Sequence, residues 1–314
     1  MKKLICHLAL CALAIAVTLA LVWALPGTCP HDLAAIVNKK AILMHKPSPR
    51  MIFIGGSSQL TLDTPLIERE TGYHAVNMSL WGGMGTRGHL NEIAPHLRQG
   101  DAVVITIEYG AILDRAYARY IETNDEAKKF FFLASPYHHL LAYIQEGRPF
   151  DALAVIHELS QLKVKSYIRN IILLDFKNLF ANGLPNFDSE FNRNGDRIPP
   201  YVTVRPLGDR NTSYGYPDWN DLAYLNDFHA FAKQRGVKVL FYFPPFPIEH
   251  YNLNKPYIDA FHRLLSDRST IPLINTPEDF IYPDEYFADT IYHLNPKGER
   301  IRSDALLRFI KRAL

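Results

Sequence analysis

The sequence predicts an α/β fold, a three-layer sandwich with a parallel sheet between helices, preceded by one N-terminal transmembrane helix. Three observations support this prediction. Two lysines and a long apolar run open the chain. From residue 50 onward, short continuous apolar runs alternate with amphipathic stretches of helical length. Strands separated by helices of this length form parallel sheets that helices cover on both faces.

The apolar run at residues 4–25, "LICHLALCALAIAVTLALVWAL", has about the 20 residues that a helix needs to cross a bilayer. Lys2 and Lys3 precede it and favour a cytoplasmic N-terminus. We therefore predict a signal anchor at 1–26 and a linker at 27–49. This topology makes a single-pass protein of the cytoplasmic (inner) membrane whose C-terminal domain is extracytoplasmic, in the periplasm. The alternative is a signal peptide cleaved after Ala24.

The first half of the body contains three predicted strands and two predicted helices. The strands are "RMIFIGG", "YHAVNMSL" and "DAVVITIEYG", and the helices are "DTPLIERETG" and "GHLNEIAPHLRQG". The first helix has Asp63 or Thr64 as its cap, Pro65 in its first turn and Gly72 at its end. Short apolar runs that end in glycine are typical of strands buried on both faces.

The second half continues the alternation after an interruption. "DWNDLAYLNDFHAFAKQRG" predicts a helix, "VKVLFYFPP" a fourth strand, and "IPLINT" is a candidate fifth. The last helix has Asn295 as its cap and Ile301, Leu306, Ile310 and Leu314 at helical spacing. Residues 111–217 do not fit the pattern, and we predict a mainly helical insertion there within one α/β domain at 50–314. That insertion either contributes to ligand binding at the sheet edge or is a structural excursion.

Composition and charge limit the classes of function. The net charge is +2, and basic residues are interspersed with acidic ones, so we expect no nucleic-acid partner. All three cysteines lie at or before Cys29. The body therefore has no disulfide, no cysteine metal site and no thiol nucleophile. The histidines lack metal-ligand spacing, and we predict no metal and no cofactor.

A candidate catalytic serine lies in "MIFIGGSSQL". Ser57 follows the first strand, so its hydroxyl is expected at the carboxyl edge of the sheet, where α/β folds bind ligands. A glycine–serine turn also needs no chemistry to explain it. The candidate base is His293 in "FADTIYHLNPKG", just before the last helix, with Asp289 four residues earlier to orient it. A serine, an aspartate and a histidine in these roles form a catalytic triad.

Two further segments follow predicted strands. "NMSLWGG" carries Gly82, and a glycine there lets a backbone N–H approach a reacting oxygen closely. Trp81, in the same segment, is a candidate for lining a sugar-binding cleft, although aromatic residues at strand ends are more often core. Glu108 and Tyr109 end the third strand and are candidate substrate-site residues, or pack beneath the insertion.

Gly55-Gly56-Ser57-Ser58, the segment Asn77–Gly82, and Asp289 with His293 together resemble the sequence blocks of the SGNH (GDSL-type) hydrolase family. The resemblance covers roughly residues 50–110 and 238–314. It implies a flavodoxin-like three-layer fold, with Ser57 as nucleophile, His293 as base and Asp289 as its partner. It also implies that the amides of Ser57 and Gly82 form the oxyanion hole.

The sequence departs from this family at two points. The family spacing is Asp-x-x-His, whereas Asp289 and His293 are separated by three residues. The family's third block carries an asparagine that donates to the oxyanion, but Glu108 and Tyr109 stand in that region. An ionised Glu108 accepts hydrogen bonds and donates none. Tyr109 would donate only if its hydroxyl points inward. Loss of one such donor in other enzymes lowers the rate by about 10²–10³.

With its predicted anchor, the chain is similar to extracytoplasmic SGNH-like proteins that work beside multipass membrane O-acyltransferases. This resemblance implies an O-acetyltransferase or O-acetylesterase that acts on a cell-envelope polysaccharide. Its partners would be an acylated glycan, or another ester substrate, and a multipass membrane O-acyltransferase. The alternatives are a catalytically inactive glycan-binding or scaffolding partner of such an enzyme, and hydrolysis of lipids or thioesters near the membrane.

Overall fold

The computed structural model describes residues 2–24, 34–110, 149–176, 183–198, 207, 219 and 221–314. The chain divides into two compact units. The first comprises Met1–Asn38 and Ile121–Pro185, and the second comprises Lys39–Tyr120 and Asn186–Leu314. Among the described residues of the first unit are helices α1 (Lys2–Ala24) and α5 (Pro149–Ile172).

The second unit is built on a parallel four-stranded sheet, which confirms the predicted α/β class. Its strands are β1 (Arg50–Ile54), β2 (His74–Asn77), β3 (Ala102–Ile105) and β4 (Lys238–Phe241). They lie in the order β2-β1-β3-β4. Because the chain crosses from β1 to β2 on one side and returns to β3 on the other, the strand order reverses between β1 and β3.

The predicted fifth strand is reduced to one bridge, in which Leu273 pairs in parallel with Phe241 at the end of β4. Two short strands form a separate parallel pair instead. These are β5 (Phe246–Pro247) and β6 (Ile281–Tyr282). Prolines at 272 and 277 flank "LINT" and cannot donate to a ladder, which keeps this segment from extending the sheet.

Helices pack around this sheet. They are α2 (Ala35–His45), α3 (Thr64–Thr71), α4 (Gly85–Ile93), α6 (Phe187–Glu190), α7 (Leu222–Gln234), α8 (Ile248–Arg268) and α9 (Pro296–Ala313). On one face of the sheet, Phe53 and Val104 pack in a core with Ile67 of α3 and Leu306 of α9. Alternate strand residues point to the opposite face.

The helix ends follow local sequence. The Asp63 side chain accepts a hydrogen bond from the Leu66 amide over 3.0 Å, and Gly72 ends α3 with φ of 74°. These are the predicted cap and stop. The next predicted helix stops earlier than its pattern suggested, because Pro95 lies in a 3-10 turn at Ala94–His96 that follows α4.

The buried face of α9 differs from the prediction. Leu306 and Ile310 are fully buried, but Ile301 and Leu314 are 37% and 39% exposed. Arg302 takes the buried position next to Ile301 and has no exposed surface. A charged residue was not expected on that face, and its contacts at the candidate site, described below, explain its burial.

Three segments outside the sheet were predicted from the sequence: the linker, the membrane anchor and the insertion. The predicted linker contains helix α2, because apolar residues such as Leu43 are buried on one side of it. The segment predicted as an anchor forms α1. Within the described ranges, no helix combines the length and apolarity needed to cross a membrane. Most of the predicted insertion at 111–217 lies outside the described residues, so its boundaries stay a prediction.

Candidate active site

Ser57 opens a 3-10 turn, Ser57–Gln59, at the carboxyl end of β1. It is half-buried, and β3 ends beside it. The strand order reverses between these two strands, and open α/β sheets bind ligands in the crevice at such a reversal. The fold therefore places Ser57 where the sequence predicted it, at the carboxyl edge of the sheet.

Two buried side chains hold the serine turn. Gln59 Nε2 donates to the carbonyl of Ile54 over 2.7 Å and closes the turn on β1. Arg302 Nη1, from α9, donates to the carbonyl of Ser58 over 2.8 Å. The turn is therefore fixed both by its own strand and by the last helix.

His293 and Asp289 form the predicted pair. His293 Nδ1 lies 2.8 Å from Asp289 Oδ1, so the extra residue between them does not prevent the contact. The Ala288 amide donates to the His293 carbonyl over 2.8 Å, which folds the segment into a tight loop. Burial lowers the pKa of His293, and its hydrogen bond to Asp289 opposes this. The net effect favours neutral imidazole, which is the form that accepts a proton.

The hydrogen bond of Ser57 goes to a different residue. Ser57 Oγ donates to Glu108 Oε1 over 3.2 Å. In the part of the chain that the structure describes, no hydrogen bond joins Ser57 to His293. The structure therefore forms the His293–Asp289 pair and a Ser57–Glu108 pair as two separate contacts.

Glu108 lies between the two glycine-containing turns. The Ser58 amide donates to its Oε1 over 2.8 Å. A Cβ atom on Gly56 would stand within 3.0 Å of both carboxyl oxygens, and one on Gly82 within 3.0 Å of Oε2, so a side chain at either position would have to displace the carboxyl group. The carboxyl group thus lies beside the glycine whose amide the resemblance assigns to the oxyanion hole.

Glu108 is only 7% exposed. Burial raises its pKa, and hydrogen bonds from Ser57 and Ser58 oppose this without reversing it. The environment therefore favours the neutral carboxylic acid more than water does.

A small pocket opens at this point. Its lining consists of residues from the ends of β1 and β3 and from the start of α4, namely Ile54, Gly55, Gly56, Gly82, Gly85, Thr86, His89, Ile105, Thr106, Ile107 and Glu108. His89 was not predicted from the sequence. It donates from Nε2 to the Trp81 carbonyl over 3.1 Å, and burial lowers its pKa to about 4. Its Nδ1 is buried and has no hydrogen-bond partner among the described residues.

Tyr109 does not contribute to the pocket. It is fully buried, and its ring makes edge contacts with Phe246 and Phe261 at centroid distances of 5.0 and 6.5 Å. Tyr109 lies in a 3-10 turn beyond the end of β3. A role for Tyr109 at a substrate site or in the oxyanion hole therefore stays a prediction, and the buried packing of its ring does not support it. Trp81 is half-buried and supports His89 through its backbone carbonyl.

The turn that carries Gly82 has its own buried support. Lys39 Nζ donates to the carbonyls of Ser79 and Gly195 over 2.6 and 2.7 Å. Burial lowers the pKa of Lys39, and the charge of Asp196 opposes this. Asn77 Nδ2 donates to the Gln59 carbonyl and to Asp196, both over 2.8 Å, and so connects the second block to the serine turn.

No group of three or more histidine, cysteine, aspartate or glutamate side chains within the described residues is arranged to hold a metal ion. In comparisons with known proteins, no protein-family model and no curated protein matches this chain. The function must therefore be argued from the site itself.

Proposed function

We propose that this chain is a Ser-His-Asp acyl-transfer protein, an O-acetyltransferase or O-acetylesterase that acts on a cell-envelope polysaccharide. The observation that carries the proposal is the 2.8 Å contact between His293 and Asp289 in the loop that leads into α9. The same helix reaches the serine turn through Arg302 and the Ser58 carbonyl. The candidate base and its carboxylate therefore lie in the loop before α9, and α9 itself is hydrogen-bonded to the turn that carries the candidate nucleophile.

The reaction would require the Ser57 hydroxyl to leave Glu108 and to donate to His293. The imidazole takes the proton while Ser57 Oγ bonds to the ester carbonyl, and Asp289 stabilises the imidazolium that forms. Collapse of the tetrahedral intermediate expels the alcohol, which regains a proton from His293. Water or a glycan hydroxyl then attacks the acyl-enzyme, giving an esterase or a transferase.

A second candidate function depends on the charge of Glu108. An ionised Glu108 beside Gly82 would repel the negative charge that develops on a substrate carbonyl oxygen. A site of this kind would suit a catalytically inactive glycan-binding or scaffolding partner of a membrane O-acyltransferase. The charge state of Glu108 therefore separates the two candidates.

The acetyl group, the glycan, the membrane partner and the periplasmic location enter the proposal through the sequence resemblance and the N-terminal segment. The tether would be α1. Fractionation of cells that produce the full chain tests this part separately. Recovery in the membrane fraction with a protease-accessible domain in opened periplasm supports it, and recovery with cytoplasmic proteins contradicts it.

The catalytic part is tested by labelling the full-length chain with a fluorophosphonate probe, which reacts with activated serines. We expect the wild type to label, and the Ser57→Ala and His293→Ala variants to lose labelling. Ser189→Ala and His45→Ala are matched controls, because both residues are exposed. If folded wild-type protein does not label, acyl transfer is contradicted and the scaffolding candidate is favoured.

A further inference from the structure

We propose that Glu108 acts as a neutral carboxylic acid, and that its hydroxyl, on Oε2, donates a hydrogen bond to the oxyanion of the reacting carbonyl. This inference rests on the proposed acyl-transfer function. It makes Glu108 the replacement for the asparagine amide that the resembling family carries in this region. No proton is transferred to the substrate by this residue, since it only donates a hydrogen bond.

The two carboxyl oxygens of Glu108 have different surroundings. Oε1 accepts from the Ser58 amide over 2.8 Å and from the Ser57 hydroxyl over 3.2 Å. Among the described residues, none donates to Oε2, which faces Gly82. A neutral acid fits this arrangement because its carbonyl oxygen can take the two donors while its hydroxyl oxygen carries the proton. In an ionised Glu108, Oε2 would carry charge without a hydrogen-bond donor from the described residues.

The lack of side chains at Gly56 and Gly82 supports the same assignment. A Cβ at either position would collide with the carboxyl group, so the backbone and the acid meet directly. A hydroxyl on Oε2 therefore lies beside the Gly82 turn, where the resemblance expects the oxyanion amide. Donors fixed before the reaction stabilise a developing oxyanion most strongly.

The causes that shift the pKa of Glu108 include no charged group on the surrounding elements. His89 on α4 is itself held neutral by burial. Arg302 on α9 is directed to the Ser58 carbonyl, and His293 is directed to Asp289. The groups that oppose the effect of burial on Glu108 are Ser57 and Ser58, which carry no charge. A buried carboxylic acid that stays neutral and donates to an oxyanion is known chemistry in enzymes.

The competing role is that Glu108 is the base for Ser57, to which it is hydrogen-bonded. The two roles predict opposite dependence on pH. A neutral donor is lost as pH rises through the raised pKa of Glu108, so the rate falls at high pH. A base is gained over the same range, so the rate rises.

The experiment measures the rate of fluorophosphonate labelling against pH for the full-length wild type and for Glu108→Gln, Glu108→Ala and Glu299→Gln. We expect the wild-type rate to fall on the alkaline side. Glu108→Gln, whose amide donates at every pH, should keep most of the rate and lose the alkaline fall. Glu108→Ala should lose about 10²–10³ in rate. Glu299→Gln is the matched control, because burial raises the pKa of Glu299 to about 7. The labelling rate of this variant should still fall on the alkaline side.

The outcomes separate the two levels of the proposal. If no variant and no wild-type protein labels at any pH, the acyl-transfer function fails and this inference fails with it. If the wild type labels through Ser57 but the rate rises with pH and Glu108→Gln is inactive, the function stands and the donor role is overturned. An alkaline fall that survives in Glu108→Gln but vanishes in Glu299→Gln also overturns it.

Discussion

Arg302 Nη1 donates to the carbonyl oxygen of Ser58 over 2.8 Å, which joins two residues 244 positions apart in the chain. Arg302 has no exposed surface, and its Nε and Nη2 have no hydrogen-bond partner among the described residues. This contact fixes the last helix against the serine turn. It gives the first of four predictions.

Replacing Arg302 by alanine should lower the free energy of unfolding by about 2–4 kcal/mol, because it leaves a cavity and a buried carbonyl without its donor. Urea unfolding measures this as a lower midpoint. The control is Arg308→Ala, an exposed residue on the same helix, which should change stability by less than about 0.5 kcal/mol. Equal midpoints for both variants would contradict a bracing role for Arg302.

Replacing Asp289 by asparagine should move the acid limb of the labelling profile to lower pH. His293 already has a lowered pKa from burial, and Asp289 is the group that opposes this, so its loss lowers the pKa further. The rate itself should fall by up to about 10⁴, because the imidazole loses its orientation. Asp304→Asn, an exposed change on α9, should leave the profile in place. An unmoved acid limb in Asp289→Asn would show that His293 is not the titrating base.

Lys39 should make stability depend on pH. Its folded pKa is lowered by burial, so between that value and its ordinary value near 10.4 the unfolded state binds more protons. The free energy of unfolding attributable to Lys39 therefore rises with pH across this range. Urea unfolding of the wild type and of Lys39→Met at several pH values gives the difference between their free energies of unfolding at each pH. An exposed lysine changed in the same way, Lys233→Met, should show no such slope.

Gly82→Ala should destabilise the fold by about 1–3 kcal/mol, because its methyl group would overlap the Glu108 carboxyl. The double variant Gly82→Ala with Glu108→Ala should recover part of this loss, since the overlapping group is gone. A double-mutant cycle of unfolding free energies measures the coupling. Strictly additive effects would mean that the two groups do not meet.

The sheet could be predicted well from sequence, and so could the elements that carry Ser57, Asp289 and His293. Short apolar runs that end in glycine mark buried parallel strands, and strand order brings their carboxyl ends together. The "IPLINT" segment was less predictable. Its apolar residues permit a strand, but the prolines on either side of "LINT" have no backbone N–H to donate, and this limits its pairing.

The supporting residues could not be predicted in the same way. Lys39, His89 and Arg302 are polar residues with buried side chains, and sequence patterns assign such residues to the surface by default. Glu108 was identified as a candidate substrate-site residue, but its burial could not be predicted, because it depends on segments distant in sequence. The packing of Tyr109 could not be predicted either, because its ring contacts Phe246 and Phe261, which lie far from it in the sequence.

The contact between Arg302 and Ser58 also has a consequence for biosynthesis. Ser57 is synthesised before His293 and before Arg302, which braces the serine turn. A nascent or prematurely terminated chain therefore carries the serine without its base and without its brace. Under the proposed function, the reactive group stays inert until His293 and Arg302 have been synthesised, which protects the acyl donors of the cell from unfinished copies.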